Sequence, residues 1–427
     1  MSELNGLQVY KFGGASVKDA MAISNLERIV AKYGAGHPLL IVVSAMGKTT
    51  NALEEIFQLA YTGQDFQEPL AALRSYHTQT VAGLVQDDWG SQIVYDVIKE
   101  RFMELEEQLA QVDRQGDYDR QYDQVVSYGE LLASGILAKL LTWHDSTVQW
   151  LDCRPLIRTD RSWREGRVDW ATTERNINAS VPALLARGPV VTQGFLGGTA
   201  DGRTTTLGRE GSDYTAAILA YCLRAESVTI WKDVAGLLNA DPKIFADTVR
   251  YPEISYRETI EMAYYGASVI HPKTLKPLAD RKIPLRVKSF VDPSAEGTII
   301  HECQHPPLAP AFIRKTDQCL ISFESKDFAF INEENLEVIF GALAQVRLKI
   351  NVMQNSAISF SVCTDFSERR IAKLLELLRE QFTMHYNTGL MLFTIKNYDA
   401  ASVARLTEGK KLLLEQRTRS TFQFVCK

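Results

Sequence analysis

Across the first three hundred residues, short runs of β-branched and aliphatic residues alternate with stretches of helical periodicity. That alternation constrains the fold more than any other feature. Strands buried on both faces and joined by helical crossovers build a largely parallel sheet with helices on each side, a three-layer α/β/α arrangement. The strands are read as Val9 to Phe12, Leu39 to Val43, Val148 to Leu151, Val190 to Phe195, Val228 to Trp231 and Leu285 to Lys288. A helix-rich insertion fills roughly 51–143, with apolar residues at helical spacing such as Leu105, Leu109 and Val112, and reads as scaffold and subunit contact.

Between about His301 and Lys315, the stretch His305-Pro306-Pro307-Leu308-Ala309-Pro310 breaks both periodicities, as an interdomain linker does. Beyond it the expected order is strand Leu320–Phe323, helix Asn335–Val346, strands Ile350–Met353 and Ile358–Cys363, helix Glu368–Phe382 and strand Met384–Tyr386. This is the βαββαβ, ferredoxin-like order, and a shorter echo runs from strand Leu390–Ile395 to the last strand near Phe422–Cys426. The expected domains are therefore 1–303, 316–387 and an abbreviated 388–427.

A length of 427 residues exceeds one ordinary core and leaves room for a catalytic cleft. The net charge of −5, without a run of five like charges, speaks against nucleic acid and membrane partners and requires local cations for any anionic substrate. The six scattered cysteines form no C-x-x-C pair, which fits reduced thiols in a cytoplasm. His301, Cys303 and His305 can face one side of an extended segment, but a structural zinc site needs a fourth ligand, so no metal ligands are assigned. The N-terminus lacks a charged-then-apolar signal. The longest mainly apolar stretch, Pro38 to Met46, is roughly half the length that crosses a bilayer.

Polar, glycine-bearing loops follow several of the strands. Lys11-Phe12-Gly13-Gly14-Ala15-Ser16-Val17 sits where a strand ends: glycines admit a phosphate to the backbone and Lys11 adds a full charge. The lysine precedes the glycines, so this is not a Walker A loop. Ser44-Ala45-Met46-Gly47-Lys48-Thr49-Thr50-Asn51 also follows a strand, where ligands of open α/β sheets bind. Ser127-Tyr128-Gly129-Glu130 opens an apolar helix, and Glu130 reads either as a cap favoured by the helix dipole or as a receptor for an ammonium group. From Gly194 to Tyr214 six glycines and three successive threonines form the densest polar stretch, beyond what a core or a bare hairpin needs. Within it Arg209 is a fork suited to a carboxylate, and Asp213 can cap a helix, while that helix start offers N–H groups to a phosphate or an acidic group to Mg²⁺. Last comes the loop Trp231 to Lys243, with an Asp241-Pro242 turn.

Taken together these motifs resemble the amino acid kinase superfamily and, within it, the aspartate kinases. The shared elements are K-F-G-G-x-S-V, V-V-S-A-M-G-x-T-T, S-x-G-E, Arg158-Thr159-Asp160, T-T-L-G-R-x-G-S-D-Y and D-V-x-G-x-x-x-x-D-P, followed by ACT-like domains. The resemblance covers Val9 to about Ile300 and returns weakly in the tail. It implies transfer of the γ-phosphate of ATP, with Mg²⁺, to the β-carboxylate of L-aspartate, the first step of lysine, threonine and methionine biosynthesis. By it, Lys11 contacts the transferring phosphate, with Gly13, Gly14 and Ser16 lining it. Arg209 clamps the substrate α-carboxylate, Glu130 receives its ammonium, and Thr50 and Ser212 add hydrogen bonds. Lys232, Asp233, Asp241 and Lys243 lie along the nucleotide side, and Asp213 orders the catalytic lysine or the metal. A homodimer through the ACT-like domains is implied as well.

Two departures stand out. Where many aspartate kinases have a lysine near the ATP phosphates, this chain reads Gly266-Ala267-Ser268-Val269-Ile270-His271-Pro272, leaving Lys273 or Lys232 as replacements. The expected effector turn, Lys326 to Asn335, has no glycine, and Asn351 replaces an aspartate of lysine-inhibited relatives, so weak or absent inhibition by lysine is expected. Two alternatives stand beside this reading: a related kinase acting on glutamate or N-acetylglutamate, and a non-catalytic amino-acid sensor that keeps the kinase fold as a binding platform. A fused homoserine dehydrogenase is not expected, since no segment of that size and no G-x-G-x-x-G remains.

Overall fold

The structure, a computed structural model, describes residues 5–85, 88–144, 147–267, 270–304, 308–326 and 329–427. The chain divides into two compact units, one of Met1–Leu237, Pro252–Ile260 and Val269–Gln304, the other of Leu238–Tyr251, Glu261–Ser268 and His305–Lys427.

The first unit holds strands β1 (Gln8–Phe12), β2 (Leu39–Val43), β3 (Gln149–Leu151), β4 (Val190–Gln193), β5 (Leu196–Gly198), β6 (Thr204–Thr206), β7 (Ser227–Lys232), β8 (Glu253–Ser255), β9 (Leu285–Ser289) and β10 (Thr298–His301). Its main sheet has the order β3-β4-β2-β1-β7-β9-β10-β8. From β3 to β9 the neighbours are parallel. The middle strand β2 is apolar along its whole length and every residue of it is buried, as a strand covered by helices on both faces requires. Helices α1 (Ala20–Tyr33), α2 (Thr49–Thr62), α3 (Gln67–Ala82), α4 (Asp88–Ala110), α5 (Tyr118–Val126), α6 (Tyr128–His144), α7 (Trp170–Leu185), α8 (Gly211–Leu223), α9 (Tyr256–Tyr265, whose last turns belong to the second unit) and α10 (Pro272–Arg281) account for the helical periodicities. Phe12 and Trp231, opposite each other in register, stack with centroids 6.1 Å apart and Tyr10 edge-on, which fixes β1 against β7.

The antiparallel pair β5–β6 and strands β8 and β10 were absent from the reading of the sequence, because three or four residues are too few to show a period. β4 stops at Gln193 instead of Phe195: Phe195 takes a left-handed backbone (φ 68°) that turns the chain into the β5–β6 hairpin. The stretch Tyr118–Thr142 is long and apolar enough to span a membrane by composition, longer than the Pro38–Met46 run judged longest, but 78% of its most apolar window is buried inside the protein.

The second unit is built on one antiparallel sheet of order β12-β13-β11-β14-β16-β15, with β11 (Ala311–Ser325), β12 (Ile350–Asn355), β13 (Ser359–Asp365), β14 (Phe382–Lys396), β15 (Leu412–Arg417) and β16 (Thr421–Cys426). Two expectations are corrected here. Ala311–Lys315, read as linker, is the first part of β11, and His301, where that linker was taken to begin, closes β10. The strands read separately at Met384–Tyr386 and Leu390–Ile395 are one fifteen-residue strand, β14. The bulged register between β11 and β14 lets two long strands run through both halves of the sheet. Helices α11 (Glu333–Gln345) and α12 (Glu368–Leu378) cover one core around Phe323, Phe360 and Leu374, and α13 (Ala400–Thr407) covers another around Phe393, Phe422 and Phe424. In the expected effector turn, Asp327 and Phe328 lie outside the described residues, and α11 begins after a reciprocal cap between Asn332 and Asn335.

Candidate active site

Because β1, β2, β4 and β7 are parallel and in register, Phe12, Val43, Gln193 and Trp231 end at one edge of the sheet. The loops leaving them are bonded to one another: Ser44 N–H donates to Phe12 O (3.1 Å), Gly47 N–H to Gly14 O (3.0 Å) and Gly194 N–H to Val43 O (2.8 Å). Gly14 has to be glycine, since a Cβ there would sit 2.8 Å from Ala45 O and 3.0 Å from Gly47 O. The two glycine-bearing loops thus form one cradle.

A cluster of charge lies within it. Lys11 Nζ is 2.7 Å from Asp213 Oδ1, and Lys232 Nζ is 3.6 Å from Asp213 Oδ2. Asp213 sits in the first turn of α8 with its side chain only 3% exposed. Burial pushes its carboxyl up, yet the Lys11 and Lys232 ammoniums outweigh burial and hold it below the usual carboxylate range. Two ammoniums gathered at one carboxylate make a cationic surface of the kind that receives an anionic phosphate. Each oxygen of Asp213 faces one of the lysines.

Glu130 is the further acidic group of the cradle. It lies in the first turn of α6 at 3% exposure; Oε1 accepts from Ala45 N–H (3.2 Å), while Oε2 is buried with no hydrogen-bond partner among the described residues. Burial lifts its carboxyl to about 8, opposed by the Ala45 N–H and by the charge of Lys11. A buried oxygen left in this condition suits an incoming cationic donor. Gly129 lets α6 approach so closely, because a Cβ on it would come within 2.9 Å of Ala45 Cβ.

Asp123, which the sequence reading passed over, holds the polar stretch in place. Fully buried in α5, it accepts from Arg164 N–H (2.9 Å), Thr206 N–H (3.0 Å) and Thr206 Oγ1–H (2.8 Å). Its neighbour Gln124 donates to Thr204 O (2.7 Å) and accepts from Thr204 N–H (3.1 Å). Strand β6 is therefore pinned by consecutive side chains just before the chain reaches Arg209 and Asp213. The signal in sequence was faint, since Asp123 stands among Asp117, Asp119 and Arg120 and looks like one more solvated charge.

The other expected residues are distributed as follows. Gly13 and Ser16 are in the cradle, where Ser16 N–H closes a turn onto Gly13 O. Ser212 is buried at the start of α8, so close to Gly194 that a Cβ on the glycine would come within 2.4 Å of Ser212 Cβ. Thr50 is half-buried beside Thr49, whose hydroxyl meets the His77 ring at 3.4 Å. Arg209 is exposed between β6 and α8, and Asp233 is exposed just beyond β7. Asp241 and Lys243 belong to the second unit, exposed, with Asp241 Oδ1 accepting from Lys243 N–H (2.9 Å). Ser268 lies outside the described residues. Of the two lysines weighed as its replacement, Lys232 reaches Asp213, while Lys273 is exposed on α10 behind the capping residue His271.

Residues 6–289 match the model of the amino acid kinase family. The chain is 33% identical over 363 residues to the lysine-sensitive aspartokinase 3 of Escherichia coli, covering 85% of this chain and 79% of that one. It is 28% identical to a chloroplastic bifunctional aspartokinase/homoserine dehydrogenase of Daucus carota, covering 95% of this chain but 44% of that longer protein. Among solved structures, Escherichia coli aspartokinase III in complex with aspartate and ADP superposes with a TM-score of 0.83 at 29% identity, covering 98% of this chain and 96% of that one.

The Asp123 clamp generates a pH test. Burial lifts the Asp123 carboxyl from 3.8 to about 6, so the folded protein holds an extra proton between those values and stability falls as pH rises through that window. Asn at this position keeps the acceptor for both N–H groups and does not titrate. Urea unfolding across the window should show Asp123→Asn gaining on the parent by up to about 3 kcal/mol from the low to the high end. Asp123→Ala should be less stable than Asp123→Asn throughout, by roughly 1–3 kcal/mol for each abandoned donor. Parallel curves for parent and Asn variant would refute the clamp's titration.

Proposed function

The chain belongs to the amino acid kinase family and, within it, to the aspartokinases, and from that premise we infer that it transfers the γ-phosphoryl group of ATP to the β-carboxylate of L-aspartate. The observation that carries this reading is the pairing in one cradle of two ammoniums, Lys11 and Lys232 on Asp213, with a buried carboxylate oxygen of Glu130 that has no hydrogen-bond partner among the described residues. The first suits phosphate and the second suits the free ammonium of an amino acid. That orphaned oxygen also disfavours an N-acylated substrate, which has no ammonium to offer.

The reaction needs no general base. A carboxylate with a pKa of about 4 is already ionised and nucleophilic at neutral pH. One β-carboxylate oxygen forms a bond to the γ-phosphorus, the bond from that phosphorus to the β–γ bridging oxygen breaks, and ADP leaves with the electron pair; no proton moves. The protein's task is alignment and neutralisation of charge on the transferring group. Lys11 meets that group, with Gly13, Gly14 and Ser16 lining it, and Lys232 supplies the second ammonium in place of the lysine absent at Ser268. Arg209 clamps the α-carboxylate, Glu130 takes the ammonium, and Thr50 and Ser212 add hydrogen bonds. Asp233 serves the nucleotide, while Asp241 and Lys243, assigned to it by the resemblance, belong to the second unit. The glycine cradle fits phosphate oxygens, whereas Asp213 is committed to lysines. Mg²⁺ arriving with ATP would thus be held chiefly by the phosphates, where it screens their charge.

The product, 4-phospho-L-aspartate, opens the route to lysine, threonine and methionine. The six cysteines are free thiols, in keeping with a reducing cytoplasm. The second unit is regulatory, and its terminal strands β12 and β15 offer edges for a homodimer. Its polar centre is already filled: Asn351 accepts from Lys315 Nζ (2.9 Å) and donates to Gln318 Oε1 (2.8 Å) and Asp365 Oδ1 (2.9 Å). An asparagine so engaged lacks the free charge that would hold an effector ammonium.

Three outcomes test this account. With ATP and hydroxylamine trapping, L-aspartate should be the preferred acceptor over glutamate and N-acetylglutamate, and Lys11→Ala or Arg209→Ala should lower kcat/KM at least about 100-fold. Values within a few-fold of the parent would remove both residues from the site. Because Glu130 must ionise to receive an ammonium, KM for aspartate should fall as pH rises toward about 8, roughly tenfold per pH unit well below that point. Glu130→Gln should raise KM and flatten the profile; a parental profile in that variant would assign the titration elsewhere. Lysine at sub-millimolar concentration should leave the rate unchanged, and half-inhibition there would contradict the reading of Asn351.

A further inference from the structure

The alternating pair His301 and Cys303 has no part in the phosphate cradle. In the structure it is joined by a carboxylate from another strand. β10 runs parallel to β8, with Ile299 opposite Glu253 and His301 opposite Ser255. His301 closes β10 and Cys303 follows two residues on, both half-buried, with the exposed Glu302 between them. Glu253 Oε2 lies 3.1 Å from His301 Nε2, and the carboxylate oxygen, ring nitrogen and Cys303 Sγ are all within 4.8 Å of one another. His305 lies outside the described residues.

We propose that Glu253, His301 and Cys303 form a binding site for a borderline divalent cation of the zinc class, held by one carboxylate, one imidazole and one thiolate with water completing the shell. Bonds of about 2.0–2.3 Å in a tetrahedron place donors about 3.3–3.8 Å apart, so small side-chain rotations close the set. The donors select the metal. A thiolate and an imidazole with a single carboxylate suit zinc or cobalt, whereas magnesium and calcium require oxygen ligands. Cys303 is half-buried and accessible, unlike the other five cysteines, which are buried. Burial and the Glu253 charge raise its thiol above the ordinary range; on binding, the S–metal bond replaces the S–H bond and the proton passes to solvent, with no change of oxidation state. Glu302, between the ligands, pairs outward with Lys282 at 3.0 Å and does not compete.

The site is remote from the kinase chemistry by topology. β10 is antiparallel to β9, with Ile300 opposite Leu285 at the start of β9, so His301 emerges at the edge of the sheet opposite the cradle. The cation would tie the terminal strand β8 to β10 and to the chain leaving it, which makes it a structural cation.

The test uses the full chain, freed of metal by a chelator and kept reduced by a phosphine. Titrated with Co²⁺ alone, the parent should develop a thiolate-to-cobalt charge-transfer band in the near ultraviolet at one ion per chain, and Zn²⁺ should displace it. Cys303→Ser should lose the band. His301→Ala and Glu253→Gln should weaken Co²⁺ binding at least about tenfold, since even loss of an outer-shell partner costs that much. Zn²⁺ should raise the melting temperature of the parent and not of Cys303→Ser, and kinase activity equal to the parent's shows that each variant is folded. Absence of the band in the parent, its persistence in Cys303→Ser, or equal Zn²⁺ stabilisation of both would overturn the proposal.

Discussion

The catalytic unit depends on one buried carboxylate shared by two ammoniums. Asp213 alone at this depth would be costly, and so would Lys11 and Lys232 side by side. Together they hold two ammoniums at a defined place. That arrangement requires β1 and β7 to be adjacent, parallel and in register, which the stacked Phe12–Trp231 pair enforces, and requires the start of α8 to lie close over the sheet, which Gly194 and Ser212 permit. Because removing one partner from a buried ion pair typically costs about 3–5 kcal/mol, the cluster is also a structural element, and the site cannot drift without the fold paying for it.

Three buried carboxylates in this unit show how compensation sets their character. Asp213, with two cations, stays below the usual range despite burial. Asp123, with three neutral donors, rises to about 6, and Glu130, with one donor on one oxygen, rises to about 8. The order follows the compensation each receives: an acid held by two cations, a clamp on strand β6, and an acid whose second oxygen has no hydrogen-bond partner among the described residues. The helical pair α5 and α6 supplies both the clamp and the receptor within eight residues, so the β5–β6 hairpin and the ammonium pocket share one support.

What could be read from sequence is what periodicity and composition encode. The buried parallel strands announced themselves by β-branched runs, and the loops by glycine and lysine placed where those runs end. The β5–β6 hairpin, β8 and β10 were illegible because three or four residues show no period, and their existence rests on tertiary contacts such as the Asp123–Thr206 bonds. In the second unit, the prolines at 306, 307 and 310 suggested a longer break than exists, since pairing of Ala311–Lys315 with Leu392–Lys396 extends β11 right up to Pro310. Gly389, with φ 68°, lies between the two strands expected there and is absorbed as an irregularity within β14. Lys232 was within reach of the sequence only as one of two substitutes for the lysine absent at Ser268, and its pairing with Asp213 was out of reach, because strand order, which brings β7 beside β1, is not a local property.

A sheet that were parallel throughout would present its loop-forming strand ends on one edge and leave the other to helix termini. Here β10 reverses against β9, and β8 follows it, so the last strands of the first unit deliver their C-terminal residues to the edge opposite the cradle. The reversal separates two kinds of chemistry on one sheet. In the proposed reading, anionic phosphate meets glycine N–H groups and ammoniums at one edge, while the Cys303 thiol, the His301 imidazole and the Glu253 carboxylate gather at the other. Had β10 run parallel to β9, His301 and Cys303 would emerge on the phosphate side, where a soft-metal site would compete with the nucleotide for cations. Strand direction is thus the constraint that lets both sets of side chains exist in one unit without interfering.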